Sequence, residues 1–249
     1  MEKVVGILGG MGPQATLDLM AKVMSATPTQ SEKDHLRMLV DCNPKVPDRV
    51  AAILAGGPDP APVLVEMALG LVRQGADLLA IACNTAHHFH AAIQAAVPVP
   101  VLDMIALTAR RVAELNPPVR TVGLLATDGT IQLKLYHRHF EARGITVITP
   151  DEMEMRSFMS IVTGVKMGND GPGARAGMAA LAQSLLDRGA EVVIAGCTEV
   201  PLVLFAGAGM PVVDPTQVLA ESIVQSVRDS GTYAGYHCED LQHVEPIPP

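Results

Sequence analysis

Arg73–Ala86, RQGADLLAIACNTA, and Asp187–Val200, DRGAEVVIAGCTEV, are two copies of one frame. Each starts at a helix end marked by a basic residue and a capping glycine, Gly75 or Gly189. It then passes through an acidic residue and an apolar run to reach Cys83 or Cys197. The glycine-to-cysteine spacing is eight residues in both copies. An apolar run of that length after a helix-ending glycine predicts a buried parallel strand, and the pairs Asn84-Thr85 and Thr198-Glu199 suit helix starts. Each thiol is therefore expected at the carboxyl end of a strand, where open α/β sheets hold their ligands. A helix N-terminus at that place would lower the thiol's pKa. Duplicated position and context set Cys83 and Cys197 apart from a lone core cysteine, which is usually inert packing.

The repeat extends outward from these frames. VVGILGG (Val4–Gly10) is echoed by TVGLLAT (Thr121–Thr127), and VPVPVLDMIALTARRV (Val97–Val112) by AGMPVVDPTQVLAESIV (Ala208–Val224). The offset is 117 residues at the first match, 114 at the cysteines and 111 at Asp103 and Asp214, a drift that loop-length differences produce. The pattern predicts an α/β fold of two similar Rossmann-like domains, each with a parallel sheet and right-handed crossovers. Residues 1–104 plus 215–230 are expected to form the domain carrying Cys83, and residues 105–214 the one carrying Cys197. Residues 231–249 read as a loosely held tail.

Composition bounds the function. With 249 residues, 49% hydrophobic and 18% charged, the chain can bury a large core. A net charge of -8 and the lack of a Lys/Arg cluster exclude a nucleic-acid surface, and 3% aromatic residues leave few stacking platforms for bases. MEKVVGILGG enters a strand pattern directly, without the leader of a signal peptide, and no apolar stretch is long enough to span a bilayer. These features predict a cytoplasmic enzyme or binding protein with no membrane partner, whose four cysteines are thiols.

Other motifs compete for attention. Gly10-Met11-Gly12-Pro13-Gln14-Ala15 fits the dinucleotide fingerprint, but the acidic residue expected about 20 residues on falls in a polar loop, and Asp41 lies too far away. Gly9, Gly10 and Gly12 are instead expected to make a tight turn that lets the backbone approach a small anion, with Pro13 preset for the first helical position. His87, His88 and His90 lie close to Cys83, but neighbouring histidines on a helix point about 100° apart, so a surface or capping role is expected and no metal. Asp103 and Asp214 follow short apolar runs and suit either a site or a helix cap, with Pro215 favouring a cap at Asp214. Cys42 reads as a small packed residue, Cys238 as a tail thiol, and the 13 methionines as core filler.

GILGGMGPQAT (Gly6–Thr16), NPKVPDR (Asn43–Arg49), ACNTAH (Ala82–His87), GVKMGN (Gly164–Asn169) and GCTEVPL (Gly196–Leu202) resemble the signature segments of the cofactor-independent aspartate/glutamate racemases, in particular the aspartate racemase branch. The resemblance runs in order from Met1 to about Ser230. It implies two α/β domains related by a pseudo-twofold axis with the active site between them, an enzyme without metal or organic cofactor, and a homodimer. Where glutamate racemases proper carry a histidine after the second Cys-Thr, this chain has Glu199. Where many relatives place a hydroxyl residue after the PDR segment, it has Val50. The resemblance implies that Arg49 and Lys166 bind the substrate's side-chain carboxylate, that Cys197 acts on the L-enantiomer and that Cys83 acts on the D-enantiomer.

The chemistry is consistent with that. Inverting a stereocentre by proton transfer requires a base on one face of Cα and an acid on the other, and a thiolate and a thiol supply both. Met11, Gly12, Asn84, Thr85, Thr198 and Glu199 complete the expected binding set, with backbone N–H groups after each cysteine holding the α-carboxylate. The expected substrate is a small dicarboxylic amino acid, aspartate or glutamate. Alternatives are a two-cysteine maleate-type isomerase, a broad-specificity amino-acid racemase and a non-catalytic small-acid binding protein. A decarboxylase on this scaffold would keep a single thiol.

Overall fold

The computed structural model describes residues 3–204 and 209–228. Among the described residues, eight strands form two four-stranded sheets. β1 (Val5–Gly9), β2 (Met38–Cys42), β3 (Leu78–Ile81) and β4 (Val101–Leu102) make the first, in the order β2-β1-β3-β4. β5 (Thr121–Leu124), β6 (Thr146–Ile148), β7 (Val192–Ile194) and β8 (Val212–Val213) make the second, in the order β6-β5-β7-β8. Every described pairing is parallel, and the two orders are the same pattern. The two repeated frames contain β3 and β7, which pair with β1 and β5 respectively.

Each conserved feature of the frame has the same physical task in both halves. Gly75 and Gly189 close the preceding helices with φ of 98°, a left-handed conformation that costs glycine little. The acidic residue that follows is a strand cap. The Asp77 carboxylate accepts from Val4 N at 2.7 Å, and Glu191 accepts from Arg120 N at 2.6 Å and Thr121 N at 2.8 Å. A glycine in each central strand admits the helix behind it. A Cβ on Gly6 would lie 2.9 Å from Ala76 Cβ and 3.2 Å from Leu71 Cβ, and one on Gly123 would lie 2.8 Å from Leu185 Cβ and 3.2 Å from Ala190 Cβ.

Side-chain alternation divides each sheet into two faces. In the first sheet Leu79, Ile81 and Cys83 face a core shared with Leu64, Met67 and Leu71 of helix Ala61–Arg73. In the second, Val193, Ala195 and Cys197 face a core shared with Phe158 and Val162 of helix Glu152–Lys166 and with Met178 and Leu185 of helix Pro172–Asp187. Both cysteines thus lie two and four residues beyond matching inward positions. The opposite faces meet at helix Met104–Ala113: Met104 and Leu107 join the core of the first sheet, while Ile105, Ala109 and Val112 join the core of the second. Helix Pro215–Arg228 returns to the first sheet, where it packs on helix Pro13–Ala26. Lys22 pairs with Asp214 at 2.6 Å, and Asp214 accepts from Thr216 N at 2.8 Å, so this aspartate is a helix cap held by an ion pair.

Among the described residues no helix is long and apolar enough to cross a membrane. The proposed tail at 231–249, with Cys238, lies outside the described residues. Cys42 is a correction: it is exposed at the end of β2, which among the described strands is an edge strand, and so it is not packed.

The glycine requirement is testable at Gly123. Replacement by valine should destabilise the fold by about 1–3 kcal/mol, because its Cβ collides with groups fixed to the helix backbone. Gly173, which has open space around it in a helix, should accept alanine without loss. Urea unfolding of the two variants measures the contrast.

Candidate functional site

The carboxyl ends of β1, β3, β5 and β7 border a cleft lined by Met11, Asp48, Arg49, Val50, Cys83, Asn84, Thr85, Thr127, Lys166, Cys197, Thr198 and Glu199. Every expected binding residue except Gly12 is in this lining. Gly12 is beside it, since a Cβ there would lie 3.6 Å from Glu199 Oε1 and 4.0 Å from Lys166 Cγ.

The loop after β1 is fastened by Thr16, whose hydroxyl accepts from Gly10 N at 2.9 Å and donates to Gly12 O at 3.2 Å. Gly10 has φ of 90°, and a Cβ there would strike the Asn43 backbone at 2.3–2.5 Å, while one on Gly9 would strike Thr16 at 2.4 Å. The expected close approach to an anion is therefore corrected for these two glycines: what their backbone approaches is the chain itself. Gly12 alone has its open side toward the cleft. Pro13 takes the first position of its helix as expected.

The loop after β2 delivers Arg49. Asp48 caps helix Arg49–Ala55 by accepting from Ala51 N at 2.7 Å. The Arg49 guanidinium donates from Nη1 to Val46 O at 3.2 Å and Pro47 O at 2.9 Å, and from Nη2 to Met11 O at 3.3 Å. Its Nε is buried without a hydrogen-bond partner. Among the described residues, none of the ion pairs involves Arg49. Carbonyl oxygens thus fix the fork while leaving its charge uncancelled, which suits it to an incoming carboxylate.

Cys83, Asn84 and Thr85 are all buried. Thr85 forms a triangle of hydroxyls with Thr127 (3.0 Å) and Thr130 (3.0 Å), themselves 3.1 Å apart. Asn84 Oδ1 accepts from Tyr136 Oη at 2.5 Å, whereas Asn84 Nδ2 is buried and unpartnered. The expected helix after Cys83 begins as the 3₁₀ turn Thr85–Phe89 and becomes α-helical only at His90–Ala96.

Cys197 differs from the expectation. The helix after it is four residues long, Val200–Val203, and the thiol donates to Glu199 Oε2 at 3.0 Å. Thr198 Oγ1 donates to the same oxygen at 3.3 Å. Burial, followed by the charge of Glu199, pushes the Cys197 thiol well above its ordinary pKa, against a smaller pull downward from Lys166. Glu199 is 2% exposed, so its carboxylate reaches the sulfur with little water between. Lys166 ends its helix at the rim of the cleft. Desolvation opposes its charge but is outweighed by Glu199, Cys197 and Cys83, and its pKa is raised.

The histidines divide. His87 is buried, and its Nδ1 donates to Cys83 O at 2.8 Å while its Nε2 accepts from Met104 N at 3.1 Å. These partners select the neutral Nδ1–H tautomer, and burial lowers the pKa. The expected surface position is thus corrected, while the capping role takes an unforeseen form, across to the first N–H of helix Met104–Ala113. His88 is half-buried off the cleft, and His90 Nε2 bonds Val101 O at 2.8 Å. Asp103 caps its helix by accepting from Ile105 N and Ala106 N. Among the described residues no group of three or more His, Cys, Asp or Glu side chains is placed to hold a metal ion.

Sequence reasoning missed Asp48, Thr127, Thr130 and Tyr136. Thr127 had a signal, being the counterpart of Gly10 in the echoed strand segments. Tyr136 had none.

A model of the Asp/Glu/Hydantoin racemase family matches residues 8–223. The broad specificity amino-acid racemase of Bacillus subtilis is 26% identical over 230 residues, covering 90% of this chain and 97% of that protein. Among solved structures, the aspartate racemase of Picrophilus torridus superposes with a TM-score of 0.82 at 29% identity, over 90% of this chain and 94% of that one. An aspartate racemase homologue from Pyrococcus horikoshii gives 0.71 at 26% identity, over 91% and 99%.

His87 links this site to acid stability. The unfolded chain takes up the imidazole proton near pH 6.5, whereas the folded chain holds His87 neutral to lower pH. Between these two pKa values the unfolded state binds more protons, so stability falls as pH drops below about 6.5 and is unaffected above it. In the variant His87→Gln, which retains an acceptor for Met104 N–H, the melting temperature should depend less steeply on pH across that window. An unchanged slope would place the acid sensitivity elsewhere.

Proposed function

We propose that this chain, which belongs to the Asp/Glu/Hydantoin racemase family, interconverts L- and D-aspartate, and more slowly glutamate, by moving the α-hydrogen between Cα and the sulfurs of Cys83 and Cys197. Membership makes it a racemase, and hence an isomerase, of the kind that works without pyridoxal phosphate. The observation that carries the finer reading is the meeting of both duplicated thiols in one cleft with a guanidinium that no described carboxylate neutralises.

In one direction the Cys197 thiol passes its proton to Glu199, and the resulting thiolate removes the α-hydrogen. The Cys83 thiol then delivers a proton to the opposite face of Cα. The turn leaves Cys197 as thiol, Glu199 protonated and Cys83 as thiolate, and solvent carries the proton from Glu199 back to Cys83. The reverse direction exchanges the roles of the thiols. Asn84 Nδ2 and backbone N–H groups after the cysteines hold the α-carboxylate, and their bonds strengthen as charge flows onto it from the carbanion. Arg49, helped by Lys166, takes the distal carboxylate. Replacing that carboxylate by a neutral group would leave buried charge unpaired, so dicarboxylic amino acids are preferred.

A second reading, broad specificity, draws support from Val50. This side chain offers no hydrogen bond at the cleft wall, and with Met11 it adds apolar surface there. The experiment that separates the readings is incubation of the protein with individual L-amino acids in deuterated water, followed by chiral separation and mass measurement. Aspartate should yield D-aspartate carrying one deuterium, faster than neutral amino acids do. If alanine or lysine outran both acids, the broad reading would replace the narrow one. Absence of exchange with every amino acid would remove the racemase mechanism.

Cys83→Ala and Cys197→Ala should each lower racemisation by at least about a thousandfold, because one face of Cα loses its proton carrier. Glu199→Gln separates two roles of the carboxylate. Removing its charge should lower the Cys197 pKa and speed alkylation of that thiol, while loss of the proton acceptor should slow racemisation by about tenfold or more. Faster racemisation in this variant would mean that Glu199 only suppresses the thiolate.

A further inference from the structure

Asn84 and Thr85 follow the first cysteine, yet both are gripped by the second half of the chain. Thr85 meets Thr127 and Thr130, and Asn84 meets Tyr136 in helix Leu135–Glu141. Tyr136 is fully buried, and burial holds its phenol protonated by raising its pKa well above the ordinary value. Its O–H therefore donates, and it donates to Asn84 Oδ1 at 2.5 Å. An amide has one accepting and one donating end. With the accepting end spent on Tyr136, the end left over is Nδ2, which is buried, belongs to a residue lining the cleft and has no partner. A buried donor without an acceptor is unfavourable, and beside a cleft an entering ligand's acceptor would relieve it.

We infer that Tyr136 is a positioning residue that sets the direction of the Asn84 amide, so that Nδ2 rather than Oδ1 meets the α-carboxylate of the bound amino acid. The inference rests on the racemase reading given above for the identity of that carboxylate. Without the phenolic O–H the two amide orientations become comparable, and one of them turns a carbonyl oxygen toward an anion. The link crosses between the halves, so the donor that binds substrate next to Cys83 is aimed correctly only when the second half is seated against the first.

The test uses the full chain and L-aspartate. Tyr136→Phe keeps the ring in its core and should raise KM about tenfold to a hundredfold, with a smaller change in kcat. In an Asn84→Ala background the same substitution should leave KM unchanged, because there is no amide left to direct. A purely structural tyrosine would instead lower the melting temperature and change KM equally in both backgrounds, and that result overturns the inference. Asn84→Asp gives a second measurement that does not depend on the tyrosine variant folding. A carboxylate still accepts from Tyr136 but offers the cleft no donor, so KM should rise at least as much as in Asn84→Ala. A fall in KM would show that the oxygen end faces the substrate's ammonium and would overturn the assignment. If the unmodified protein racemises no amino acid, the functional reading fails first. If it racemises aspartate and Tyr136→Phe is unaltered, only the positioning role fails.

Discussion

Helix Met104–Ala113 belongs to two cores at once, and the cleft depends on that sharing. Its Met104 and Leu107 pack against the first sheet, while Ile105, Ala109 and Val112 pack against the second. A helix cannot rotate to satisfy one core without withdrawing from the other, so its double burial fixes the angle at which the two sets of strand ends meet. Its amino end is tied in turn to the chemistry. Asp103 caps Ile105 N and Ala106 N, and His87 spans from Met104 N to the carbonyl of Cys83. The peptide that carries one thiol is thus anchored to the same helix that sets the distance to the other.

The electrostatics of the cleft follow from burial. Two thiols, two carboxylates, an ammonium and a guanidinium line a space in which water screens little, so each charge bears on the next. Glu199 lifts the pKa of Cys197 and raises that of Lys166, opposite consequences for ionisation that have one cause: a negative charge disfavours a second anion and favours a cation. Arg49 opposes the anions at Lys166, where its positive charge pulls the pKa down, and carbonyl dipoles rather than a carboxylate hold its own guanidinium. The cleft thereby keeps one cation whose charge its own hydrogen-bond partners do not cancel.

Features that recur within the chain were legible in the sequence. Gly75 and Gly189, Asp77 and Glu191, and the two apolar runs each answer a local geometric need, and the need is stated twice, once per half. The parallel strands and the placing of both cysteines at strand ends followed from these. The sign of the Cys197 shift did not. A helix-start argument assumes a helix long enough to have a dipole and no nearer charge, whereas the observed helix has four residues and Glu199 lies 3.0 Å from the sulfur. The bonds from Met104 N to His87 and from Tyr136 to Asn84 escaped for another reason: they cross between packed elements, and no spacing along the chain encodes how those elements dock.

Duplication also explains why the site is not symmetric where it need not be. An amino acid presents its ammonium, carboxylate and side chain in three directions from Cα, and inversion exchanges only the hydrogen's side. On the proposed reading both faces therefore require a proton carrier, and the repeat brings one thiol from each half to the cleft. The remaining groups must recognise a single arrangement of substituents, and there the halves have diverged: Asn84-Thr85 stands where the second copy has Thr198-Glu199. On the proposed reading this divergence has an energetic consequence. Glu199 accepts a hydrogen bond from the Cys197 thiol and holds it protonated, whereas Asn84, the residue after Cys83, brings no charge and turns its amide oxygen to Tyr136.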